Sequence, residues 1–188
     1  MDNKKLDSVT KLRSTSPRRV IERSPFPTEI IEFKGMRFLI ADTPHEITIR
    51  PYIEHLLRNN VKVLVGVCGV KHSLAPFHDA NIEVKELRFA EGTLPDESLR
   101  RHWFRILIAN KSENPDGCIA VYCNSGLGRA ALLVAIALIE LGMGYETAVN
   151  VIRSKRRGAI TEAQFNFLKT YRAEAGMAEQ KFVNCGMQ

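Results

Sequence analysis

A cysteine and an arginine frame a short glycine-containing segment that reads Cys-Asn-Ser-Gly-Leu-Gly-Arg, from Cys123 to Arg129. An apolar run ends at the cysteine, and a second apolar run, residues 130–139, begins directly after the arginine. We therefore expect a strand, a loop and the N-terminus of a helix, whose backbone N–H groups attract anions. An arginine fork binds two phosphate oxygens at once, and the same positive field favours the thiolate, the nucleophilic form of cysteine. The pattern predicts covalent transfer of a phosphoryl group to sulfur.

A plainer interpretation of the same residues is a glycine-rich turn with a packed cysteine and a surface arginine. The spacing alone does not separate the two interpretations, but a strand before the loop and a buried helix after it favour an anion-binding loop. The glycines let the backbone approach a ligand closely. The predicted phosphate-binding residues are then those of the loop itself: Asn124, Ser125, Gly126, Leu127, Gly128 and Arg129.

Strand and helix patterns alternate along the chain, which predicts an α/β fold with a central, largely parallel sheet flanked by helices. β-branched or alternating apolar runs indicate strands, and apolar residues at helical spacing indicate helices. The predicted strands are 29–33, 36–40, 61–67, 82–87 and 118–122, and the predicted helices are 51–59, 96–111, 129–141, 145–155 and 161–175. Cys123 would lie at the carboxyl end of a strand, where such sheets bind their ligands.

The composition is that of a globular protein with a preference for anionic partners. The chain has 188 residues, of which 45% are hydrophobic, and a net charge of +6. The sequence contains no evident cluster of aromatic and basic residues of the kind that binds nucleic acid, so no nucleic-acid partner is predicted. Neither the four cysteines nor the five histidines have the spacing of metal ligands, so neither a metal nor another cofactor is predicted. The same cysteine usage, without a secretion signal, predicts a reducing, intracellular compartment.

Composition divides the chain into three regions. Residues 1–25 are basic and poor in large apolar side chains, so we expect a disordered N-terminal arm. Residues 26–175 contain all the predicted strands and helices and form the folded domain. Residues 176–188 form a C-terminal tail.

Four segments together resemble one family of cysteine-dependent phosphatases. They are Met-Arg-Phe-Leu-Ile (36–40), Ser-Gly-Leu-Gly-Arg-Ala (125–130), Ile-Ala-Leu-Ile-Glu (136–140) and Ile-Arg-Ser-Lys-Arg-Arg-Gly-Ala-Ile (152–160). The family is that of the phosphatases of regenerating liver, the PRL or protein tyrosine phosphatase type IVA family, and the resemblance extends over residues 28–172. It implies a dual-specificity phosphatase-like fold and hydrolysis of phosphate esters on phosphotyrosine proteins, on other phosphoproteins or on phosphoinositides.

The resemblance also implies a role for each matched residue. Cys123 would form a phosphocysteine, and Arg129 would bind the phosphoryl group and stabilise its transition state. Gln164 lies in the segment that positions water in related phosphatases. Cys68 aligns with a cysteine that forms a reversible disulfide with the nucleophile. Ala130 stands where most tyrosine phosphatases have a hydroxyl group that helps the thiolate to leave, and PRL phosphatases, which are slow, also have alanine there.

The terminal Cys185-Gly-Met-Gln resembles the prenylation box of the family. The resemblance implies farnesylation of Cys185, a cytoplasmic protein held at a membrane by its prenylated C-terminus, and a CNNM-type magnesium transport protein as a partner. One lipid chain gives only marginal membrane binding. Residues 173–184 contain only one basic residue, Lys181, so we expect the basic N-terminal arm to supply the second contact with an anionic membrane surface.

The sequence departs from the family pattern beside the predicted site. Tyr122 stands in place of the histidine that usually precedes the nucleophile. The general-acid loop, Trp-Pro-Phe-Asp-Asp-Gly in the family, reads Leu-Arg-Phe-Ala-Glu-Gly at residues 87–92, so Glu91 takes the place of the acid. Gly66 and Gly69, on either side of Cys68, replace an arginine and a glutamate.

Two classes of function follow. One is a slow phosphatase that uses Cys123, Arg129 and Glu91. The other is a pseudophosphatase, a prenylated membrane-associated binding module that retains the anion-binding loop but turns over little. The retained cysteine and arginine favour the first class, and the changes at Tyr122 and in the acid loop favour the second.

Overall fold

A computed structural model of the chain describes residue 26, residues 30–69 and residues 73–177. The predicted basic arm, residues 1–25, and the predicted farnesylation site, Cys185, lie outside the described residues. No helix in the described ranges combines the length and the apolar character needed to cross a lipid bilayer.

The described residues contain one five-stranded sheet. Its strands are β1 (Ile30–Phe33), β2 (Met36–Asp42), β3 (Val61–Gly66), β4 (Glu83–Glu86) and β5 (Cys118–Cys123). Their order in the sheet is β1-β2-β5-β3-β4, with β1 antiparallel to β2 and the other pairs parallel. The central strand β5 is buried along its whole length, as expected of a parallel strand covered on both faces. The predicted α/β fold with a largely parallel sheet is confirmed.

Helices cover both faces of this sheet. They are α1 (Ile49–Arg58), α2 (Ala75–Asp79), α3 (Glu97–Glu113), α4 (Arg129–Glu140), α5 (Tyr145–Lys155) and α6 (Glu162–Thr170). Successive strand residues point to opposite faces. Tyr122 accordingly packs with the core beneath α1 and α2, whereas Val121 and Cys123 pack with the core formed by α3 to α6.

Helix α4 lies at the centre of the larger core, and every one of its residues except Ile139 is buried. A helix that is apolar on all sides is stable only when other elements surround it. The helix is followed by Gly142 with φ +93°, and the N–H groups of Gly142 and Met143 bond to the carbonyls of Ile139 and Leu138. This C-terminal motif fixes the turn toward α5.

The secondary structure differs from the prediction in two places. Helix α6 ends at Thr170, so the predicted helix over 161–175 is wrong in its last turn. The N–H groups of Glu174 and Ala175 donate to the buried carboxylate of Glu140 instead of to backbone carbonyls. Helix α2 and a 3-10 turn at Glu46–Thr48 were not predicted, since segments of five and three residues are too short to show a helical period.

Candidate active site

The loop from β5 to α4 has the strand, loop and helix order that the sequence predicts. Cys123 is the last residue of β5 and is 3% exposed, and Arg129 is the first residue of α4. Gly126 has φ +62°, a left-handed conformation that favours glycine. The side chain of Cys123 therefore lies at the base of the loop, at the carboxyl edge of the sheet. The exposed loop residues are Asn124, Ser125 and Leu127.

Arg129 is held in place from two neighbouring segments. Its Nη1 donates hydrogen bonds to the carbonyl oxygens of Phe89, at 3.0 Å, and Val67, at 3.3 Å. The residue is only 8% exposed. Both acceptors are neutral, so these two bonds fix the guanidinium in place without neutralising its charge.

Glu91 lies next to this arginine, as the resemblance implies for a general acid. Its Oε2 is 3.4 Å from Nη2 of Arg129, and its side chain is 77% exposed. Such an exposed ion pair contributes little to stability and constrains the carboxyl group only loosely. The structure thus brings the predicted acid and the predicted phosphate-binding arginine together, with Glu91 on the solvent side.

Gln164 is buried and has two contacts at the N-terminus of α6. Its Oε1 accepts a hydrogen bond from the N–H of Thr161 at 3.0 Å, while Oγ1 of Thr161 accepts from the N–H of Gln164 at 3.3 Å. Nε2 of Gln164 lies 3.6 Å from the place that a Cβ on Gly128 would occupy. The capping box therefore uses the amide oxygen and directs the amide N–H donors toward the predicted phosphate-binding loop.

Tyr122 and Gly66 fit each other across the sheet. They are paired in the register of β3 and β5, and a Cβ added to Gly66 would lie 2.5 Å from Oη of Tyr122. Tyr122 is fully buried, which raises the pKa of its phenol to about 12, and its Oη has no hydrogen-bond partner among the described residues. The two departures from the family pattern are therefore one structural change, in which glycine makes room for the phenol ring.

The other cysteines within the described ranges differ in their surroundings. Cys68 follows β3 and is 6% exposed, with its Sγ 3.4 Å from Oγ1 of Thr43. Cys118 begins β5 and is fully buried, which raises the pKa of its thiol to about 12. Cys68, Cys118 and Cys123 are free thiols, and the disulfide between Cys68 and Cys123 stays a prediction. The described residues contain no group of three or more His, Cys, Asp or Glu that could hold a metal ion.

Asp42 and Arg156 contact the loop, although sequence reasoning placed neither of them at the site. Nη2 of Arg156 donates to Oδ1 of Asp42 at 2.5 Å and to the carbonyl oxygen of Ser125 at 2.8 Å. Asp42 ends β2, directly beside Cys123 in the register of the two strands. One signal was present in the sequence, since a polar residue at the carboxyl end of an apolar strand in a parallel sheet marks the edge where ligands bind.

Comparisons with known proteins identify relatives of the chain. No model of a known protein family matches the chain. PRL-1 phosphatase of Drosophila melanogaster is 48% identical over 146 residues, which cover 78% of this chain and 83% of the relative. Protein tyrosine phosphatase type IVA 3 of Homo sapiens is 41% identical over 148 residues, or 79% of this chain and 85% of the relative.

Solved structures of phosphatases share the fold. A protein tyrosine phosphatase from Leishmania major superposes with a TM-score of 0.65 at 34% identity, and the match covers 73% of this chain and 88% of that one. More distant solved phosphatases have the dual-specificity phosphatase fold. The sequence identity to the named relatives extends over most of both chains. The chain belongs to the PRL, or protein tyrosine phosphatase type IVA, family.

Proposed function

We propose that this protein is a slow protein tyrosine phosphatase that works through a phosphocysteine at Cys123. The observation that carries the proposal is the position of Cys123 at the end of β5, beside the N-terminus of α4 and the buried cation of Arg129. The helix N-terminus and the arginine favour both the thiolate and a bound phosphate dianion. This arrangement suits attack of sulfur on phosphorus.

The reaction has two steps. The thiolate of Cys123 attacks phosphorus while the bond from phosphorus to the leaving oxygen breaks, and Glu91 gives a proton to that oxygen. Water then attacks the phosphocysteine, losing a proton to Glu91, and releases inorganic phosphate and the free thiolate. Arg129 and the loop N–H groups stabilise the charge on the three equatorial oxygens in both steps. Gln164, with its amide N–H donors directed at the loop, orients the attacking water.

Slow turnover follows from two residues of the site. Ala130 follows Arg129 and offers no hydroxyl group to the departing sulfur, so the second step lacks that assistance. Glu91 is exposed and only loosely held, and poorly placed acid catalysis typically costs about 10² to 10⁴ in rate. The proposal is therefore a working but slow enzyme.

Turnover of an aryl phosphate by the purified protein and its Cys123→Ser variant tests the mechanism. We expect the wild type to turn over slowly and to yield a phosphorylated cysteine when it is rapidly denatured at alkaline pH during turnover. Cys123→Ser should show neither property. Equal release of phosphate by the two proteins would exclude Cys123 as nucleophile. If neither protein turns over but both bind vanadate, the chain is instead a binding module, whose proposed partner is a CNNM-type magnesium transport protein.

The proposed substrate is phosphotyrosine on a protein, because the relatives are named protein tyrosine phosphatases. Phosphoinositides are the alternative that the resemblance also implies. The two substrate classes are distinguished by assaying phosphotyrosine peptides, phosphoserine peptides and short-chain phosphoinositides side by side, with Cys123→Ser as the inactive control. If kcat/KM is highest for a phosphoinositide, the proposed substrate is a lipid and not a protein.

We further propose that farnesylated Cys185 and the basic arm, residues 1–25, together hold the protein on the cytoplasmic face of a membrane. Each basic residue near an anionic surface contributes about 1 kcal/mol, which can supplement one lipid chain. Fractionation of cells that express the wild type, Cys185→Ser or a form lacking residues 1–25 tests this. A truncated form bound as firmly as wild type would remove the arm from the proposal, and membrane-bound Cys185→Ser would remove the lipid.

The disulfide between Cys68 and Cys123 is proposed as a reversible block of the nucleophile. Both thiols lie at carboxyl ends of neighbouring parallel strands. Peptide mapping after mild peroxide treatment should identify the linked pair, and a thiol reductant should restore turnover. Oxidation of Cys123 to sulfinic acid while Cys68 stays reduced would contradict the proposal.

A further inference from the structure

Asp42 and Arg156 form a bridge behind the predicted phosphate-binding loop. Arg156 follows α5, and its side chain is 14% exposed, whereas that of Asp42 is 50% exposed. One nitrogen, Nη2, donates to both Oδ1 of Asp42 and the carbonyl oxygen of Ser125. Asp42 is anchored in turn, because Tyr52 of α1 donates its hydroxyl to the Asp42 carbonyl at 3.2 Å. The bridge therefore ties the middle of the loop to the ends of β2 and α5.

The contact with Ser125 determines how the loop presents its N–H groups. In a trans peptide the carbonyl oxygen and the following N–H point in opposite directions. Because Arg156 binds the Ser125 carbonyl oxygen, the N–H of Gly126 is held on the side of that peptide facing away from Arg156. A preorganised N–H group of this kind stabilises charge without reorganisation.

Arg156 also neutralises a carboxylate that lies close to the nucleophile. Asp42 and Cys123 are partners in the register of β2 and β5, so their side chains leave the same face of the sheet on strands about 4.8 Å apart. An unpaired carboxylate at this place would repel both a thiolate and a bound phosphate. The guanidinium of Arg156 offsets that charge through its direct contact with the carboxylate.

Two further observations indicate that the bridge is built for the site rather than for stability alone. Any side chain at Gly126 would overlap the Arg156 guanidinium and lie 2.9 Å from the carbonyl oxygen of Ala41, so the loop glycine is required for the bridge to form. Nε of Arg156 is buried and has no hydrogen-bond partner among the described residues. A buried donor without an acceptor costs free energy of folding. A pair that served only stability would not be expected to include such a donor.

We propose that the Asp42–Arg156 pair is a positioning device that orients the phosphate-binding loop and screens the nucleophile from the Asp42 carboxylate. Neither residue belongs to the predicted phosphate-binding loop, and the contact of Arg156 with the Ser125 carbonyl oxygen is the route by which the pair acts on it. The inference rests on the proposed function only in that the loop must bind a phosphate-like oxyanion. Orthovanadate, a phosphate analogue, is therefore a suitable probe whether or not turnover is fast.

The test measures vanadate affinity by isothermal titration calorimetry for four proteins: wild type, Arg156→Gln, Arg156→Lys and the double variant Asp42→Asn/Arg156→Gln. Misplaced catalytic groups commonly cost on the order of 10²-fold, so we expect Arg156→Gln to weaken vanadate binding by about 10- to 100-fold. Arg156→Lys keeps the positive charge but not the planar guanidinium, and should recover part of the loss. The double variant should bind better than Arg156→Gln, because it removes the carboxylate that Arg156→Gln leaves unpaired.

Arg157→Gln is the matched control, since it removes the same charge from the adjacent, exposed position. Measurements at a temperature where circular dichroism shows every variant to be folded separate positioning from stability. Vanadate affinity in Arg156→Gln equal to that of Arg157→Gln would overturn the proposal, even if the melting temperature fell. So would a double variant that binds more weakly than Arg156→Gln. Failure of the wild type to bind vanadate would instead overturn the proposed function.

Discussion

The side chain of Tyr122 is buried on the face of the sheet opposite to Cys123, although the two residues are adjacent in sequence. A residue that precedes a nucleophile at the end of a strand therefore does not reach the ligand by its side chain. It fills the core beneath α1 and α2, where its size is matched by the absence of a side chain at Gly66. Its phenol hydroxyl has no hydrogen-bond partner among the described residues, and burying such a hydroxyl lowers the free energy of unfolding.

Tyr122→Phe should leave the free energy of unfolding unchanged or raise it by up to about 1 kcal/mol, because it removes an unsatisfied buried hydroxyl. Tyr52→Phe is the matched control. It deletes the hydrogen bond to the carbonyl of Asp42 and should cost about 1 kcal/mol. Urea denaturation followed by circular dichroism measures both, and a loss of stability in Tyr122→Phe equal to that in Tyr52→Phe would show that the hydroxyl has a partner.

The same phenol predicts a pH dependence. Burial raises the pKa of this phenol from 10.0 to about 12 in the folded protein. The unfolded chain therefore loses the proton at lower pH, so the stability of the wild type is unaffected below pH 10 and falls as the pH rises through 12. Phenylalanine has no proton to lose. The stability of Tyr122→Phe relative to wild type should therefore increase between pH 9 and about pH 11, measured by urea denaturation at each pH. A constant difference over this range would contradict the raised pKa.

Under the proposed mechanism Glu91 would compete with substrate for Arg129, since its carboxylate lies 3.4 Å from the guanidinium. Glu91→Gln keeps the shape but removes both the charge and the acid. We expect tighter vanadate binding together with a lower kcat, by about 10²-fold or more, on substrates with poor leaving groups. Steady-state kinetics on alkyl and nitrophenyl phosphates, beside vanadate titration, measure the two effects, and an unchanged kcat on the alkyl substrate would leave Glu91 as a loop carboxylate only.

At the scale of elements, the N-terminus of α6 serves two purposes with one side chain. The amide oxygen of Gln164 completes a capping box with Thr161, and the amide nitrogen faces Gly128 in the loop. Because a capping box fixes the side chain at the third helical position, the nitrogen needs no other restraint to stay directed at the loop. Helix capping here positions a donor for the site.

Gln164→Glu separates these purposes. The carboxylate still accepts the N–H of Thr161 and interacts well with the helix N-terminus, so the melting temperature should be unchanged or slightly higher. The donors that face the loop become acceptors, so vanadate affinity should fall by at least about tenfold, as when a donor to a developing oxyanion is lost. Thr161→Ala should show the opposite pattern, with about 1 kcal/mol less stability and a smaller change in affinity. Unaltered affinity in Gln164→Glu would exclude an interaction between this side chain and the ligand.

At the scale of the whole molecule, a buried carboxylate joins the end of the described chain to the central helix. Glu140 of α4 accepts hydrogen bonds from the hydroxyl of Tyr171, at 2.5 Å, and from the N–H groups of Glu174 and Ala175, both at 2.8 Å. The segment after α6 is thereby folded onto α4, and Met177 is buried in the same core. Burial and the bond to Glu140 raise the pKa of Tyr171 well above its ordinary value.

Glu140→Ala should destabilise the protein by about 3 kcal/mol, because it removes the acceptor of one buried hydroxyl and of two part-buried N–H groups. Glu174→Ala is the control for loss of a carboxylate in the same region, since the side chain of Glu174 pairs with Arg100 at the surface and should contribute about 0 to 1 kcal/mol. Urea denaturation provides both values. A cost for Glu140→Ala no greater than that for Glu174→Ala would show that the C-terminal segment is not needed for the fold.

The sequence by itself determined the fold class, the strand-loop-helix unit around Cys123 and Arg129, and most helix and strand positions. Local signals suffice for these features: β-branched runs, helical periodicity, and glycines at the loop. It also brought Glu91 and Gln164 to attention, through the family resemblance rather than through periodicity. Helix α2 could not be predicted from the sequence because it is too short to show a helical period. The early end of α6 could not be predicted because Glu140, which binds the segment after the helix, lies 34 residues from its partner Glu174.

Only the tertiary structure decided which side chains meet. The contact between Asp42 and Arg156 joins residues 114 positions apart, and no pattern within either segment indicates the other. The match between Gly66 and Tyr122 depends on the register of β3 and β5, which sequence periodicity leaves open. Alternation along one strand places a residue on a face of the sheet, but the neighbouring strand and the helix above it determine what that residue contacts there.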